Sequence, residues 1–261
     1  MRNILILLAM LLSEAVAEAQ DIFFPSEIGI VLEYKTYDKK EKETGTIRYT
    51  ITNIKEDGEN MDITYLIEME DADKKALFKE ELTVNKKGDK LYIDMSKLLS
   101  KVILEKAGDK ADNIKISATQ METPSNLKPG DTLPDSNVEV SMKVGFMNIK
   151  MTNKVTDRKV ETMEKIAVKA GNFDAYKLSS KVTTNALGIK YISTKAEWIV
   201  KGIGMVKSEE YDKKGNLNSY TELVSIKEKS NIGNILHQSL VIKKYASPYF
   251  IQMQEFNLNR G

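Results

Sequence analysis

From residue 28 to about residue 226 the apolar side chains of this chain recur at every second position, in segments of five to twelve residues rich in Val, Ile, Thr and Tyr. Successive side chains of an extended chain point to opposite faces, so a period of two marks strands with one buried side. In Thr46 to Lys55, Ile47, Tyr49 and Ile51 share one face while Arg48, Thr50 and Thr52 share the other. Met61, Ile63, Tyr65, Ile67 and Met69 repeat the pattern in Asn60 to Glu70. Parallel sheets are buried on both faces and read as unbroken apolar runs, so the wet alternate face requires antiparallel pairing. Glu56-Asp57-Gly58-Glu59 and Lys87-Gly88-Asp89 place glycine where a tight hairpin needs a positive φ. The expected fold is mainly β: a large curved antiparallel sheet, half-barrel or open barrel, built as a meander.

One segment departs from the pattern. Met95, Leu98, Leu99, Val102 and Ile103 recur at helical spacing, with Ser96 placed to cap the start and Gly108 to end it. This predicts an amphipathic helix over 95–107 whose apolar stripe covers the concave side of the sheet. Pro124, Pro129 and Pro134 fall in 123–135, which reads as a joint within a single β-rich domain spanning 20–228. Apolar residues occupy even positions from Val138 to Phe146 and odd ones from Met147 to Met151, so a bulge or turn belongs beside Gly145. Tyr37-Asp38-Lys39-Lys40 and Tyr211-Asp212-Lys213-Lys214 echo each other, either as a trace of duplication or as convergent turn chemistry.

The two ends differ from the middle. Arg2, the apolar run Ile4 to Leu12, and Ala17-Glu18-Ala19 have the layout of an export signal cleaved after Ala19. The run is too short to cross a bilayer core of ~30 Å at ~1.5 Å per helical residue. No later segment is apolar for long enough either, so the expected product is periplasmic or extracellular, with no transmembrane span. Residues 229–261 carry Ile232, Ile235, Leu236, Leu240, Val241 and Ile242, then several aromatics, as an extension that docks a partner or the membrane surface, or has no role.

Composition removes whole classes of chemistry. The 261 residues include no Cys and one His, His237, which excludes disulfides, thiol nucleophiles and most triad or zinc arrangements. The 39 basic residues balance 38 acidic ones, and only Arg2, Arg48, Arg158 and Arg260 carry the guanidinium fork suited to phosphate, so nucleic acid is not an expected partner. Gly202-Ile203-Gly204 lacks the third glycine of a dinucleotide loop and leads into a strand. Glu68, Glu70, Asp71 and Asp73 lack the glycine and distal glutamate of a calcium loop. Glu209 and Glu210 are adjacent on a strand and face opposite sides, so they cannot flank one glycosidic bond. Met142, Met147 and Met151 suggest soft-metal binding, but Met147 and Met151 stand ~13 Å apart along a strand, beyond the reach of one ion. No cofactor, metal site or catalytic constellation is expected.

Trp198 is either a stacking platform for a ligand in the concavity or a core aromatic, and Tyr176 and Tyr191 pose the same choice. With Leu98 and Val102 on the expected helix, these are the candidate ligand-binding residues.

Lys128-Pro129-Gly130-Asp131-Thr132-Leu133-Pro134, Lys169-Ala170-Gly171-Asn172-Phe173-Asp174-Ala175-Tyr176-Lys177 and Glu197 to Lys207 resemble a family of exported Gram-negative bacterial proteins of unknown function, sometimes called TapB-like. The resemblance spans roughly residues 22–228. It implies an exported β-rich domain similar to the half-barrel of periplasmic lipoprotein carriers, and it carries no catalytic residue. The expected function is a non-catalytic binding or carrier module for a lipid or other amphipathic ligand at the cell envelope. The alternatives are an envelope scaffold for a protein or polysaccharide, and a carboxylate-dependent hydrolase.

Overall fold

The computed structural model describes residues 22–94, 96, 111–144, 146–186 and 188–228. They form one antiparallel sheet of 13 strands. The first run of hairpins comprises β1 (Ile30–Asp38), β2 (Glu43–Asp57), β3 (Asn60–Asp71), β4 (Ala76–Lys87) and β5 (Lys90–Ile93). The short strands β6 (Ala111–Ala118) and β7 (Met121–Pro124) follow. A second run then comprises β8 (Ser136–Val144), β9 (Met147–Val168), β10 (Gly171–Ala186), β11 (Ile189–Val200), β12 (Gly204–Tyr211) and β13 (Leu217–Glu228). The spatial order is β6-β8-β9-β10-β11-β12-β13-β1-β2-β3-β4-β5-β7, so the two meanders join where the last strand lies beside the first.

The sheet is open, with β6 and β7 as its edges. Only Thr119 and Gln120 separate those two strands in the chain, a link that reaches ~11 Å at most. The sheet must therefore curl until its edges come close at that crossing. Bulges provide the bend. The register shifts between Ile51 and Asn53 in β2, between Trp198 and Ile199 against β12, and twice along β9 where it pairs with β10. One of the β9 shifts holds Asp157 at φ 54°, a conformation Asp tolerates better than most side chains.

Two segments without regular structure fill the concave side. Ile22 and Phe24 join Ile51, Ile63, Ile67, Leu82 and Val84 in one core cluster, while Phe23 joins Leu127, Leu133, Val160, Leu178 and Ile199 in a second. The Ile22 carbonyl accepts a hydrogen bond from the Gly202 N–H at 2.7 Å. At Gly204 a Cβ would sit 3.0 Å from the Phe23 carbonyl oxygen, and φ is +92° there, so glycine lets this segment lie against the start of β12. The proline-rich stretch is pinned to β9 by Gly130 N–H to Val160 O, Leu133 N–H to Arg158 O and Val160 N–H to Asp131 O. Its Leu127 and Leu133 are buried, so it forms a wall of the interior.

The helix expected over 95–107 is not supported as a covering element: Ser96 alone of the segment is described, in helical conformation, and the remainder lies outside the described residues. The covering of the concave side that is described comes from residues 22–24 and the proline-rich stretch. The hairpin echo is settled by a third example. Asp38 accepts the N–H groups of Lys40 and Lys42, Asp212 those of Lys214 and Asn216, and Asp71 those of Asp73 and Lys75. Each loop closes with a residue at positive φ, namely Glu41, Gly215 and Lys74. Because the Asp71 turn shares the geometry and not the tetrapeptide, the echo reflects turn chemistry. The phase change beside Gly145 is the turn between β8 and β9. Pairing of Met142 with Ile149 and of Val140 with Met151 returns both runs to one face. Met142 therefore shares a face with Met147 and Met151, contrary to its phase within one extended segment.

Candidate functional site

The interior is not packed solid. A cavity of about 350 Å³ opens between the β1–β5 half, the β9–β12 half and the two filling segments. Its apolar wall follows directly from the alternation in β1 to β3. Tyr34, Tyr49 and Tyr65 project from the inward face and meet Phe24 in a chain of rings: Phe24 to Tyr65 at 5.2 Å, Tyr65 to Tyr49 at 5.4 Å, and Tyr49 to Tyr34 at 5.4 Å between centroids, all tilted or edge-on. Ile67, Leu82, Leu91 and Met205 extend this wall. The Tyr34 hydroxyl donates to the Met205 carbonyl at 2.9 Å, tying β1 to β12. Burial pushes the Tyr49 phenol up to about 12 and raises Tyr34 and Tyr65 as well, so all three are neutral donors at any physiological pH.

The opposite wall is charged. Arg158, 7% exposed, is aimed inward beside the Asp157 bulge, and its Nη1 donates to the carbonyls of Pro134 (2.8 Å) and Glu122 (3.2 Å). Desolvation lowers its pKa, while Glu197, Glu122 and Asp135 oppose the shift; a guanidinium stays protonated under such a load. Glu197 and Lys195 project from the same face of β11 and pair at 2.7 Å. Although deep in the fold, the Glu197 side chain keeps 29% accessibility because it fronts the hollow. Burial would raise its pKa, but Lys195 and then Arg158 outweigh that effect and hold it below the usual carboxylate range. The site thus offers an aromatic slot with one fixed cation and one ion pair at its side.

The sequence-expected residues are dispersed around this site. Trp198 lies between Glu197 and Ile199 on β11 but, unlike them, does not line the hollow; it is buried in a cluster with Leu32, Tyr34, Ala175, Val206 and Leu223, of which Leu32 and Tyr34 also border the hollow. Its indole N–H donates to Glu164 at 2.7 Å, and the ammonium groups of Lys177 and Lys207 lie 4.9 and 5.3 Å from the ring. Tyr176 packs edge-on against Phe23 at 5.7 Å, beside the cavity but not in its wall. Tyr191 is exposed on β11, where its hydroxyl accepts from the Asn218 amide at 2.7 Å. Leu98 and Val102 lie outside the described residues, as does His237. Among the described residues no three His, Asp or Glu side chains gather as a metal set, and no helix is long and apolar enough to cross a membrane. Arg158 and the ring chain went unremarked as site residues. A signal for Arg158 was present: the apolar phase runs odd at Val155 and even at Val160, which requires a bulge between them.

The fold and site together define a class: an open, strongly curved antiparallel sheet that encloses a hollow with an aromatic lining. The chain belongs to the DUF3108-like family, whose model matches residues 27–223. Two solved structures are similar in fold. One is a protein described as exported, with a YmcC-like fold, from Bacteroides fragilis NCTC 9343; it has a TM-score of 0.65 and 22% identity, covering 78% of this chain and 98% of that one. The other is described as a lipoprotein from Parabacteroides distasonis ATCC 8503, with a TM-score of 0.64 and 20% identity over 78% and 98%. No curated protein matches the chain in sequence.

Proposed function

We propose that this chain is an exported, non-catalytic carrier that holds the apolar part of an amphipathic molecule inside the curved sheet at the cell envelope. The observation that carries the reading is the 350 Å³ hollow with Phe24, Tyr34, Tyr49 and Tyr65 along one wall. That volume lies in the range of small-molecule sites, ~300–1,000 Å³, which are mostly apolar with a few converging polar groups. The apolar body of the ligand lies along the rings, and its polar end meets Arg158 and the Lys195–Glu197 pair. The export-signal layout of residues 1–19, the likeness to proteins described as exported or as lipoproteins, and the narrower TapB-like resemblance support the compartment.

A carboxylate-dependent hydrolase is the weaker reading of the same hollow. Asp94 and Glu197 both line it. Such chemistry needs one carboxyl that stays protonated near neutral pH. Glu197 is held ionised by Lys195 and Arg158 and cannot be that acid.

The test is native mass spectrometry of protein purified without detergent, followed by delipidation and titration with cis-parinaric acid and palmitate as competitor. The reading predicts a copurified adduct of lipid mass and saturable one-to-one uptake that palmitate displaces. Absence of both an adduct and saturable uptake contradicts it.

A further inference from the structure

Among the described residues, half of the large apolar side chains that stand exposed gather at one end of the β8–β11 strands: Phe146 (92%), Met147 (52%), Ile189 (73%) and Tyr191 (45%). The pairing of Val144 with Met147 and of Ala186 with Ile189 puts the first three at hairpin tips, and Ala186 lies opposite Met151. The β8–β9 hairpin therefore overhangs its neighbour by four residues, ~13 Å at ~3.3 Å each, and carries Phe146 at its extremity.

Charge is segregated around these tips. Residues 140–156 and 175–196, the tip-side parts of the two hairpins, contain no Asp or Glu; the acidic residues of β8 to β11, Glu139, Asp157, Glu161, Glu164, Asp174 and Glu197, all lie farther from the tips. They present Lys143, Lys150, Lys154, Lys181 and Lys190, all exposed. Among the described residues, the acidic groups beside these stretches are Glu139, which pairs with Lys150 at 2.8 Å, Asp112 of β6 at the register position opposite Lys143, and Glu209 and Glu210 of β12, opposite Ala196 and Lys195 at the end of the stretch away from the tip. The far end of the sheet is mixed in sign, with Glu56, Asp57, Glu59 and Asp89 at its turns among lysines.

We propose that the β8–β9 and β10–β11 tips dock on an anionic lipid bilayer, with Phe146, Met147 and Ile189 entering the apolar boundary and the lysines set behind them against the headgroups. A ring at a projecting tip needs an apolar medium rather than a complementary hollow, and lysines one to a few residues behind it stand at headgroup depth. A nucleic-acid surface would call for guanidinium forks, and the stretches 140–156 and 175–196 contain no Arg.

The chain lacks cysteine, so single labels can be placed cleanly. The chain freed of residues 1–19, which lie outside the described residues, is made as Phe146→Cys and, at the far end, Glu59→Cys, and each is labelled with an environment-sensitive fluorophore. Vesicles of phosphatidylcholine with phosphatidylglycerol should shift the 146 label to the blue and leave the 59 label unchanged. Pure phosphatidylcholine, or about 1 M salt with its Debye length of ~3 Å, should reduce the effect at least about tenfold. In flotation, unlabelled Phe146→Asp and Ile189→Asp should each lower the bound fraction about tenfold with unchanged melting. Equal response of both labels, equal response to neutral vesicles, no response, or undiminished flotation of the variants would overturn the proposal. None of these outcomes depends on whether the hollow holds a ligand.

Discussion

Phe23 tests whether the segment before the first strand is part of the fold. Its ring is buried between Leu127, Leu133, Val160, Leu178 and Ile199 and meets Tyr176 edge-on. Truncating a buried phenylalanine costs about 3–5 kcal/mol, the sum of lost transfer energy and the void left behind. Phe23 already borders the cavity, so part of its surface has no neighbour to lose, and the expected cost for Phe23→Ala is about 3 kcal/mol. With a urea m-value of about 2–3 kcal/mol/M for a domain of this size, the unfolding midpoint should fall by ~1–1.5 M. Phe146→Ala is the internal control, because that ring is 92% exposed and its loss should stay within about 0.5 kcal/mol. Equilibrium urea unfolding followed by far-ultraviolet circular dichroism measures both. A Phe23→Ala loss under about 1 kcal/mol would show that residues 22–24 are not a working part of the core, and the account of what covers the concave side would fail.

Other perturbations probe the remaining walls. Arg158→Met leaves the carbonyls of Glu122 and Pro134 without their donor and should cost about 2–4 kcal/mol in the same unfolding assay; an effect below 1 kcal/mol would remove Arg158 as the pin of the proline-rich wall. The Asp38 and Asp212 carboxylates have lowered pKa values because backbone and side-chain N–H groups donate to them, so their contribution is complete above the unfolded Asp value of ~3.9 and disappears as pH falls through the folded value. Asp38→Ala with Asp212→Ala should therefore flatten the acid limb of stability against pH, and an unchanged limb would contradict the turn assignment. Tyr34, Tyr49 and Tyr65 have raised pKa values, so the stability they confer is present below ~10 and lost as pH rises through the folded values. Titration of the 295 nm phenolate band should show them ionising only with unfolding, whereas reversible ionisation near pH 10 in the folded protein would place them in water.

Much of the sheet was legible because alternation is a local property. Ile47, Tyr49 and Ile51 declared their common face, and Gly58 and Gly88 their positive φ, from neighbours a few positions away. What fills the sheet was not legible. Ile22, Phe23 and Phe24 have no periodicity, and their partners Gly202, Leu82 and Val160 lie far along the chain. The proline-rich stretch looked like a joint because prolines break strands wherever they occur; its bonds to Val160 and Arg158 are fixed by the curl of β9. Trp198 was a natural candidate as the single tryptophan, yet which face of β11 is concave depends on register with Leu178 and with β12, which residue type does not encode. The ring chain of Phe24, Tyr65, Tyr49 and Tyr34 needs three strands in register and a segment from outside the sheet, so no single run of sequence contains it.

The central claim is that the hollow is occupied by an acyl or similarly apolar chain. Its most direct test is photocrosslinking with a fatty acid carrying a diazirine near its terminal methyl, followed by peptide mapping. The account predicts adducts on Phe24, Tyr49, Tyr65 and Leu82, lost on competition with palmitate. Adducts confined to the outer surface, around Phe146 or Ile189, or spread without competition would show that the sheet does not carry its ligand inside.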